Sequence, residues 1–249
     1  MKNLNWQLKH PLDAIVFDCD GTLSTIEGIN ELAKNNNTGD AVIALTHKAM
    51  SESGMTPDIY KQRLALTKPT HDQVLTLGQM YISSITADTV AVIKILQKLN
   101  KQIFIMSAGI QQAVNIVAKH LHVPEENVYA VNVKFDNHGH FQDFDHQSPL
   151  VFNDGKRKII EQLKQKFQHI ALVGDGLNDF EAHDAVTRFI GYGGTYYRQN
   201  MAKLCQFYIT APSMAGILPL TMTQDEFDLL NKAEQNLYRF GLDELSTDH

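Results

Sequence analysis

Two aspartates, Asp18 and Asp20, stand two positions apart directly after the apolar run at 14–17. On a β-strand, side chains at positions i and i+2 point to the same face, so the two carboxylates would lie on one side of the chain. Carboxylates this close repel each other, and burying either one without a partner is strongly destabilising. The pair therefore predicts a cation bound between them, or chemistry that uses both.

A second acidic pair, Asp175 and Asp179, lies in the segment DGLND. One interpretation is structural: Asp179 caps a helix, and Asp175 closes a turn beside Gly176. The two acidic pairs taken together favour a hard cation instead. Mg²⁺ is bound by oxygen ligands, with water and substrate phosphate completing its shell. The sequence thus predicts a Mg²⁺ site.

Hydroxyl and ammonium groups could balance this acidity. Ser107 precedes Ala108 and Gly109, and at the start of a helix this segment would present backbone N–H groups to an anion. The alternative for Ser107 is a simple helix N-cap. Lys156 begins the basic run KRK, which could equally be a solvated face. A phosphate dianion near several carboxylates needs a fixed cation besides the metal, so we expect Ser107 and a lysine of this run, Lys156 or Lys158, to bind phosphate.

The elements that must position these residues can be read from the apolar pattern. Short apolar runs typical of buried parallel strands occur at 14–17, 103–106, 170–173, 188–190 and 206–209. Segments with helical periodicity lie between them, at 89–99, 111–121 and 155–167. This alternation indicates βαβ units on an open parallel sheet. In such sheets ligands bind beyond the carboxyl ends of the strands, where the candidate residues fall.

Residues 28–84 interrupt this alternation, because they show helical periodicity throughout and no strand pattern. Breaks near 35–37, 51–57 and Pro69 divide the segment. We interpret it as a small helical module inserted after the first strand. Around the sequence DNHG, residues 131–145 alternate apolar and polar side chains, which predicts a β-hairpin.

The composition is that of an ordinary globular protein, with 249 residues of which 43% are hydrophobic and 20% charged. The net charge of −6 gives no general attraction to nucleic acid or to an anionic membrane, so neither is expected as a partner. Cys19 and Cys205 form neither a disulfide framework nor a CxxC motif, which fits a reducing compartment. No apolar stretch near the N-terminus is long enough for a signal peptide or a membrane span. We expect a cytoplasmic monomer or homodimer, with a polar helix and a frayed end after Leu220.

Four segments, FDCDGTL, MSAGI, GKRK and VGDGLND, resemble the signature segments of the haloacid dehalogenase-like hydrolases. Four more, EGINELAK, RLAL, KFDNHGHFQDF and FIGYGG, resemble the phosphoserine phosphatase family in order and spacing. The resemblance implies an α/β fold, with a three-layer α/β/α Rossmann-like core around a parallel sheet, an inserted helical cap domain and a small β-hairpin. We place the core at 1–24 and 86–249 and the cap at 25–85.

The resemblance also implies a reaction, the hydrolysis of a phosphate monoester through an aspartyl phosphate on Asp18. Asp20 would protonate the leaving oxygen and then activate the water that hydrolyses this intermediate. Asp18, the backbone carbonyl of Asp20, and Asp175 would bind Mg²⁺. The residues that would hold the phosphoryl group are Ser107, Ala108 and Lys156.

The family resemblance points to an amino-acid phosphate, first of all phosphoserine, as the substrate. Glu27 would bind its amino group and Arg63 its carboxylate, for which a guanidinium is suited. Met50 and Asn178 would complete the pocket. Both charged residues also have a structural interpretation, because an acidic residue at a helix start favours the helix dipole and an arginine on a helix is often only a surface residue.

The chain departs from the residues usual in the family at Gly21, Ser51, Thr56 and Ala108. The departures leave another small phosphorylated amine or acid open as the substrate. A dehalogenase is disfavoured, because Asp20 supplies the acid–base group that the phosphatases need. A non-catalytic phosphate-binding regulatory protein is disfavoured as well, since the predicted nucleophile, acid, lysine and metal ligand are all present.

Overall fold

The computed structural model describes residues 7–51 and 55–246, without the side chains of 49–51 and 246. The strands are β1 (Ala14–Phe17), β2 (Gln102–Ile110), β3 (Val128–Val131), β4 (Val133–Phe135), β5 (Phe141–Phe144), β6 (Ile170–Gly174), β7 (Arg188–Tyr192) and β8 (Tyr208–Ile209). The first six helices are α1 (Gly28–Asn35), α2 (Gly39–Ser51), α3 (Pro57–Thr67), α4 (His71–Ser83), α5 (Thr89–Lys98) and α6 (Gln111–His120). The later helices are α7 (Gly155–Leu163), α8 (Leu177–Phe180), α9 (Gln199–Leu204), α10 (Ile217–Thr221), α11 (Gln224–Asp228) and α12 (Lys232–Ser246).

Within the described residues, six parallel strands form one sheet in the order β3-β2-β1-β6-β7-β8. β1 is an interior strand and is buried along its whole length. Phe17 at its end is in register with Ile105 of β2 and Val173 of β6, so the carboxyl ends of these strands meet at one edge. Helices flank the sheet, which confirms the predicted α/β class with a parallel core sheet.

The strands of this sheet differ from the prediction at two places. β2 is longer than expected, because it continues through residues 107–109 to Ile110, with irregular pairing to β3 after Met106. β3 was not predicted at all. It is a short edge strand whose Tyr129 is only partly buried, and it directly precedes the hairpin. Its sequence, VYAV, is as apolar as the predicted strands, but four such residues alone do not distinguish a strand from other buried segments.

Helices α1 to α4 lie between β1 and α5, and their described residues contain no strand, which confirms the predicted helical segment. The chain breaks at 36–38 and 68–70 as expected. At the second break Lys68 has a φ of 42°, and Thr70 with Gln73 forms a capping box that starts α4. Whether the chain divides into a core at 1–24 and 86–249 and a cap at 25–85 stays a prediction.

Helix α4 also packs against α6, next to the sheet. The two helices approach closely at Gly78, where a Cβ would lie 2.4 Å from Ile116 Cδ1. A side chain at position 78 would force them apart, so this glycine sets the position of α4 against the sheet layer. Among the described helices, none combines the length and the apolar character that a membrane crossing requires.

The predicted hairpin is present as β4 and β5, which pair antiparallel outside the main sheet. Its turn is fixed by Asp136, whose Oδ1 accepts hydrogen bonds from the backbone N–H groups of His138 and His140, each at 2.8 Å. Gly139 adopts a φ of 79°, which is open to glycine without strain.

A buried ion pair ties α11 to the start of β2. Lys101 Nζ lies 2.5 Å from Glu226 Oε1 and donates to the Leu12 carbonyl at 3.3 Å. The other carboxylate oxygen of Glu226 accepts the Thr223 N–H at 2.8 Å. The two charged side chains are only 1% and 9% exposed. Removing one partner would therefore leave the other charge buried without compensation.

Glu226→Gln should lower the free energy of unfolding by about 3 kcal/mol, because an uncompensated buried ammonium is strongly destabilising. Urea unfolding followed by circular dichroism measures the change. Glu161→Gln is a matched control, since its pair with Arg157 is largely exposed and should contribute less than about 1 kcal/mol. Equally small losses in both variants would contradict a structural role for the Lys101 pair.

Candidate active site

The candidate residues come together at the carboxyl edge of the sheet. Asp18 follows β1, Ser107 lies in the irregular end of β2, Asp175 follows β6, and Lys156 is the second residue of α7. A cleft at this edge is lined on one side by the strand ends and on the other by residues of α1, α3 and α4. The sheet topology thus gathers residues that are far apart in the sequence, as the parallel-sheet prediction requires.

Lys156 joins two of the carboxylates. Its Nζ lies 2.8 Å from Asp18 Oδ1 and 2.5 Å from Asp179 Oδ1. Burial opposes the charge on the ammonium, but the two carboxylates outweigh it and hold the pKa of Lys156 above its usual value. Lys156 is therefore a fixed internal cation and not part of a solvated face. Asp179 also accepts the Gly176 N–H at 3.0 Å, so it closes the start of α8 as well as pairing with the lysine.

Asp18, Asp175 and Asp179 are buried and bring one oxygen each within 4.8 Å of one another. Asp175 Oδ1 is buried without a hydrogen-bond partner among the described residues. Burial raises the pKa of Asp18 above its usual value, although Lys156 opposes the rise. Burial likewise raises the pKa of Asp175 to about 6, against the opposing charge of Arg198. Clustered carboxylates with an unpaired buried oxygen fit a hard divalent cation.

Arg198 is part of the site and was not predicted. Its Nη2 and Nε lie 2.7 Å and 3.2 Å from Asp175 Oδ2, and Nη2 lies 3.8 Å from Glu27 Oε1. The arginine comes from the loop between β7 and α9, outside every motif quoted above. Its proximity to the cluster depends on how β7 and β6 pair, and no local pattern in the sequence signals it.

The carboxylate of Asp20 is held by neutral donors. Its Oδ1 accepts hydrogen bonds from the Gly28 N–H and the Tyr81 hydroxyl, both at 2.6 Å, and its Oδ2 accepts one from Ser107 Oγ at 3.1 Å. The carboxylates of Asp18 and Asp20 thus have different partners. The side chain of Asp20 does not belong to the acidic cluster, and its predicted contact with a metal through the backbone carbonyl stays a prediction. Tyr81 was missed because it lies 61 positions away, on α4.

Ser107 was expected at the start of a helix, and this expectation was wrong. The strand continues through residues 107–109, and α6 begins only at Gln111, with Ile110 as its N-cap. Ser107 Oγ accepts the Gly109 N–H at 2.8 Å while donating to Asp20. The serine is buried, and Ala108 beside it lines the cleft.

Three further predicted residues line the cleft with unsatisfied polar atoms. Among the described contacts, no hydrogen bond reaches Glu27 Oε1, Arg63 Nε or Asn178 Oδ1, and all three atoms are buried. Burial also raises the pKa of Glu27 above its usual value. Buried polar atoms in folded proteins are nearly always paired, so orphaned atoms around a cleft indicate that a ligand supplies the partners.

The predicted role of Met50 in the pocket stays a prediction, whereas Thr56, one of the departures from the family, has a structural role. The backbone of Met50 lies in α2, but its side chain is outside the described residues. Thr56 is exposed and caps α3, accepting the Ile59 N–H at 3.2 Å. Among the described residues, Met55 and Tyr60 line the cleft with apolar groups, and Met55 Sδ lies 3.8 Å from Arg63 Nη1.

Comparison with known proteins agrees with this geometry. Residues 12–185 match the family model of the haloacid dehalogenase-like hydrolases. A phosphoserine phosphatase of Bos taurus is 38% identical over 200 residues, which cover 80% of this chain and 89% of that protein. A phosphoserine phosphatase of Homo sapiens is 36% identical over 206 residues, covering 82% and 92%.

Solved structures share the fold. A phosphoaspartyl intermediate analogue of phosphoserine phosphatase superposes with a TM-score of 0.75 at 20% identity, covering 86% of this chain and 100% of the other. A phosphoserine phosphohydrolase-like protein from Francisella tularensis gives 0.73 at 22% identity, covering 80% and 95%. The chain therefore belongs to the haloacid dehalogenase-like hydrolases, in the phosphoserine phosphatase family, and it is a phosphatase.

Proposed function

We propose that the protein hydrolyses O-phosphoserine to serine and phosphate, through a covalent phosphate on Asp18 and with Mg²⁺ as cofactor. The observation that carries this proposal is a pair of buried atoms of opposite sign, Glu27 Oε1 and Arg63 Nε, that no hydrogen bond reaches among the described residues. The nearest charge to Glu27 Oε1 in an ion pair is Arg198 Nη2 at 3.8 Å, beyond hydrogen-bond distance. Glu27 and Arg63 line the same cleft as Asp18 and Asp20. An amino acid has one cationic and one anionic group, and its phosphate ester would occupy both while presenting phosphorus to Asp18.

The reaction divides between the two aspartates that follow β1. A carboxylate oxygen of Asp18 attacks phosphorus, the bond to the serine oxygen breaks, and Asp20 gives its proton to that oxygen. In the second half, Asp20 takes a proton from water as the water oxygen attacks phosphorus. The bond between phosphorus and Asp18 then breaks, and phosphate leaves with both aspartates restored.

The remaining groups position and neutralise the phosphoryl group, which is most of what catalysis of phosphoryl transfer needs. Ser107 and the backbone at Ala108 would donate to its oxygens, and Lys156 would place a fixed positive charge beside them. Asp18, Asp175 and the Asp20 carbonyl would hold Mg²⁺, which would supply further neutralisation of phosphoryl charge. Asp179 would hold Lys156 in place for this role, since Asp179 Oδ1 lies 2.5 Å from Lys156 Nζ.

Recognition of the amino acid would fall to the helices opposite the strands. Glu27, whose charge is disfavoured by burial, would gain the substrate ammonium as its partner. Arg63 presents a planar fork of donors that suits a carboxylate. The same chemistry on another small phosphorylated amine or acid remains the second candidate, since each such substrate would satisfy one of these two groups and leave the other unpaired.

Asp18→Asn should lower kcat by several orders of magnitude, because an amide cannot form the covalent intermediate. The fold and the substrate-binding cleft should be kept, since the two side chains have the same shape. Steady-state hydrolysis of phosphoserine and thermal melting check both statements. Turnover within roughly tenfold of the parent would mean that the nucleophile is a different group.

Chelation with EDTA should abolish activity, and excess Mg²⁺ should restore it. Ca²⁺ should bind but support turnover poorly, because it prefers longer bonds and more ligands. Mg²⁺ should also raise the melting temperature of the metal-free protein, since a ligand that binds only the folded state stabilises it. Activity that survives exhaustive chelation would rule out the proposed metal set.

Arg63→Ala should lower kcat/KM for phosphoserine by roughly 100-fold, because the substrate carboxylate loses its charged partner. An aryl phosphate has no carboxylate to bind, so its kcat/KM should change by less than about threefold. The parent should also prefer phosphoserine over phosphoglycolate and glycerol phosphate, and Arg63→Ala should remove most of that preference.

Lys61→Ala is the matched control for this experiment, because Lys61 is an exposed cation on the same helix. This substitution should leave kcat/KM unchanged for both phosphoserine and the aryl phosphate. Equal losses on phosphoserine and the aryl phosphate in Arg63→Ala would show that Arg63 supports the catalytic centre and does not read the carboxylate.

A further inference from the structure

The carboxylate of Asp20 is bound by a side chain from the helix layer opposite the strands. Tyr81, on α4, donates its hydroxyl to Asp20 Oδ1 at 2.6 Å. The Gly28 N–H donates to the same oxygen, also at 2.6 Å. A carboxylate oxygen has two lone pairs, so Oδ1 is fully engaged by these two donors. Neither residue belongs to the reaction as described above.

We propose that Tyr81 is a positioning residue that holds Asp20 Oδ1, so that Asp20 Oδ2 is the oxygen that gives and takes the proton. The inference rests on the proposed function, because it assumes that Asp20 is the acid and base. Oδ2 has one donor among the described residues, Ser107 Oγ at 3.1 Å. It also lies toward the phosphate-binding segment, since a Cβ on Gly109 would be 2.9 Å from it.

The position of the phenol is tightly set. Tyr81 is 1% exposed, and its backbone carbonyl accepts a hydrogen bond from Ser24 Oγ at 3.1 Å. A Cβ on Gly28 would lie 2.0 Å from the Tyr81 hydroxyl, so a residue without a side chain is needed there for the phenol to reach Asp20. Gly28 therefore contributes in two ways: its N–H donates to Asp20 Oδ1, and its lack of a side chain leaves space for the Tyr81 hydroxyl.

Burial raises the pKa of the Tyr81 phenol well above its usual value, and the charge of Asp20 adds to this rise. In the hydrogen bond to Asp20 Oδ1 the hydroxyl is the donor, since an ionised carboxylate can only accept. In the first half-reaction the proton on Oδ2 passes to the serine oxygen as its bond to phosphorus breaks. In the second, a water proton passes to Oδ2 as the water oxygen bonds to phosphorus. Tyr81 and Gly28 keep Oδ1 in place during both transfers.

Tyr81→Phe removes the hydroxyl and keeps the ring, so the test is pre-steady-state hydrolysis of p-nitrophenyl phosphate by the Mg²⁺-loaded enzyme. Nitrophenolate leaves without needing a proton, so formation of the phosphoenzyme should stay fast, with a burst of about one product per active site. The following steady-state rate should fall roughly 10- to 100-fold, as expected for losing a hydrogen bond to a charged group. Because only the second step is slowed, KM should fall by about the same factor as the steady-state rate, and kcat/KM should change by less than about threefold. On phosphoserine, whose leaving oxygen must be protonated, both phases should slow.

Two comparisons separate positioning from a structural effect. Tyr238→Phe removes a hydroxyl from another buried tyrosine, on α12, and should leave both phases unchanged. In an Asp20→Asn background, Tyr81→Phe should change the residual rate by less than about twofold, because Tyr81 acts through Asp20. Melting temperatures of all variants report any loss of folding.

Three results would overturn the inference. One is that Asp20→Asn lowers the steady-state rate while Tyr81→Phe stays within twofold of the parent. Another is a burst lost together with the steady-state rate. The third is an equal effect of Tyr81→Phe with and without Asp20. If Asp20→Asn itself left turnover unchanged, the acid–base assignment in the proposed function would be wrong as well, so the two failures are distinguishable.

Discussion

Burying several carboxylates at one edge of a sheet is the constraint to which the other parts of the site respond. Repulsion and desolvation both oppose it, and they raise the pKa of Asp18 and of Asp175. Lys156 offsets this between Asp18 and Asp179, and Arg198 does the same at Asp175. Both cations come from elements outside β1, so the sheet order and the positions of α7 and the loop before α9 are tied to the charges they neutralise.

Asp20 is stabilised in a different way. Its described partners are an N–H group and two hydroxyls, from Gly28, Tyr81 and Ser107. Neutral donors fix the orientation of a carboxylate without placing a formal positive charge against it. The two aspartates after β1 thus meet different surroundings, one among cations and clustered acids and the other among dipoles. This difference supports the different tasks that are proposed for the two residues.

The local sequence pattern was sufficient to predict features that depend on neighbouring residues. An apolar strand followed by acidic residues marks a strand end, and the structure confirms that β1 ends directly before Asp18. Contacts made by Tyr81 and Arg198 depend on how distant elements pack. Helical periodicity places Tyr81 on the buried face of α4 but does not show that its hydroxyl reaches Asp20, and Arg198 lies outside the quoted motifs. Ser107 was misplaced because the irregular end of a strand has the same small and polar residues as the start of a helix.

The Lys101–Glu226 pair has a consequence for how the chain is made. Synthesis runs from the N-terminus, so Lys101 is made well before Glu226. β1 likewise cannot pair with β6 until that strand has been made, and the two are separated by more than half of the sequence. Until Glu226 has been synthesised, Lys101 at the start of β2 lacks the counter-charge beside which it is buried. The buried contacts of β1 with β6 and of Lys101 with Glu226 can therefore form only after residues 170–226 have been synthesised.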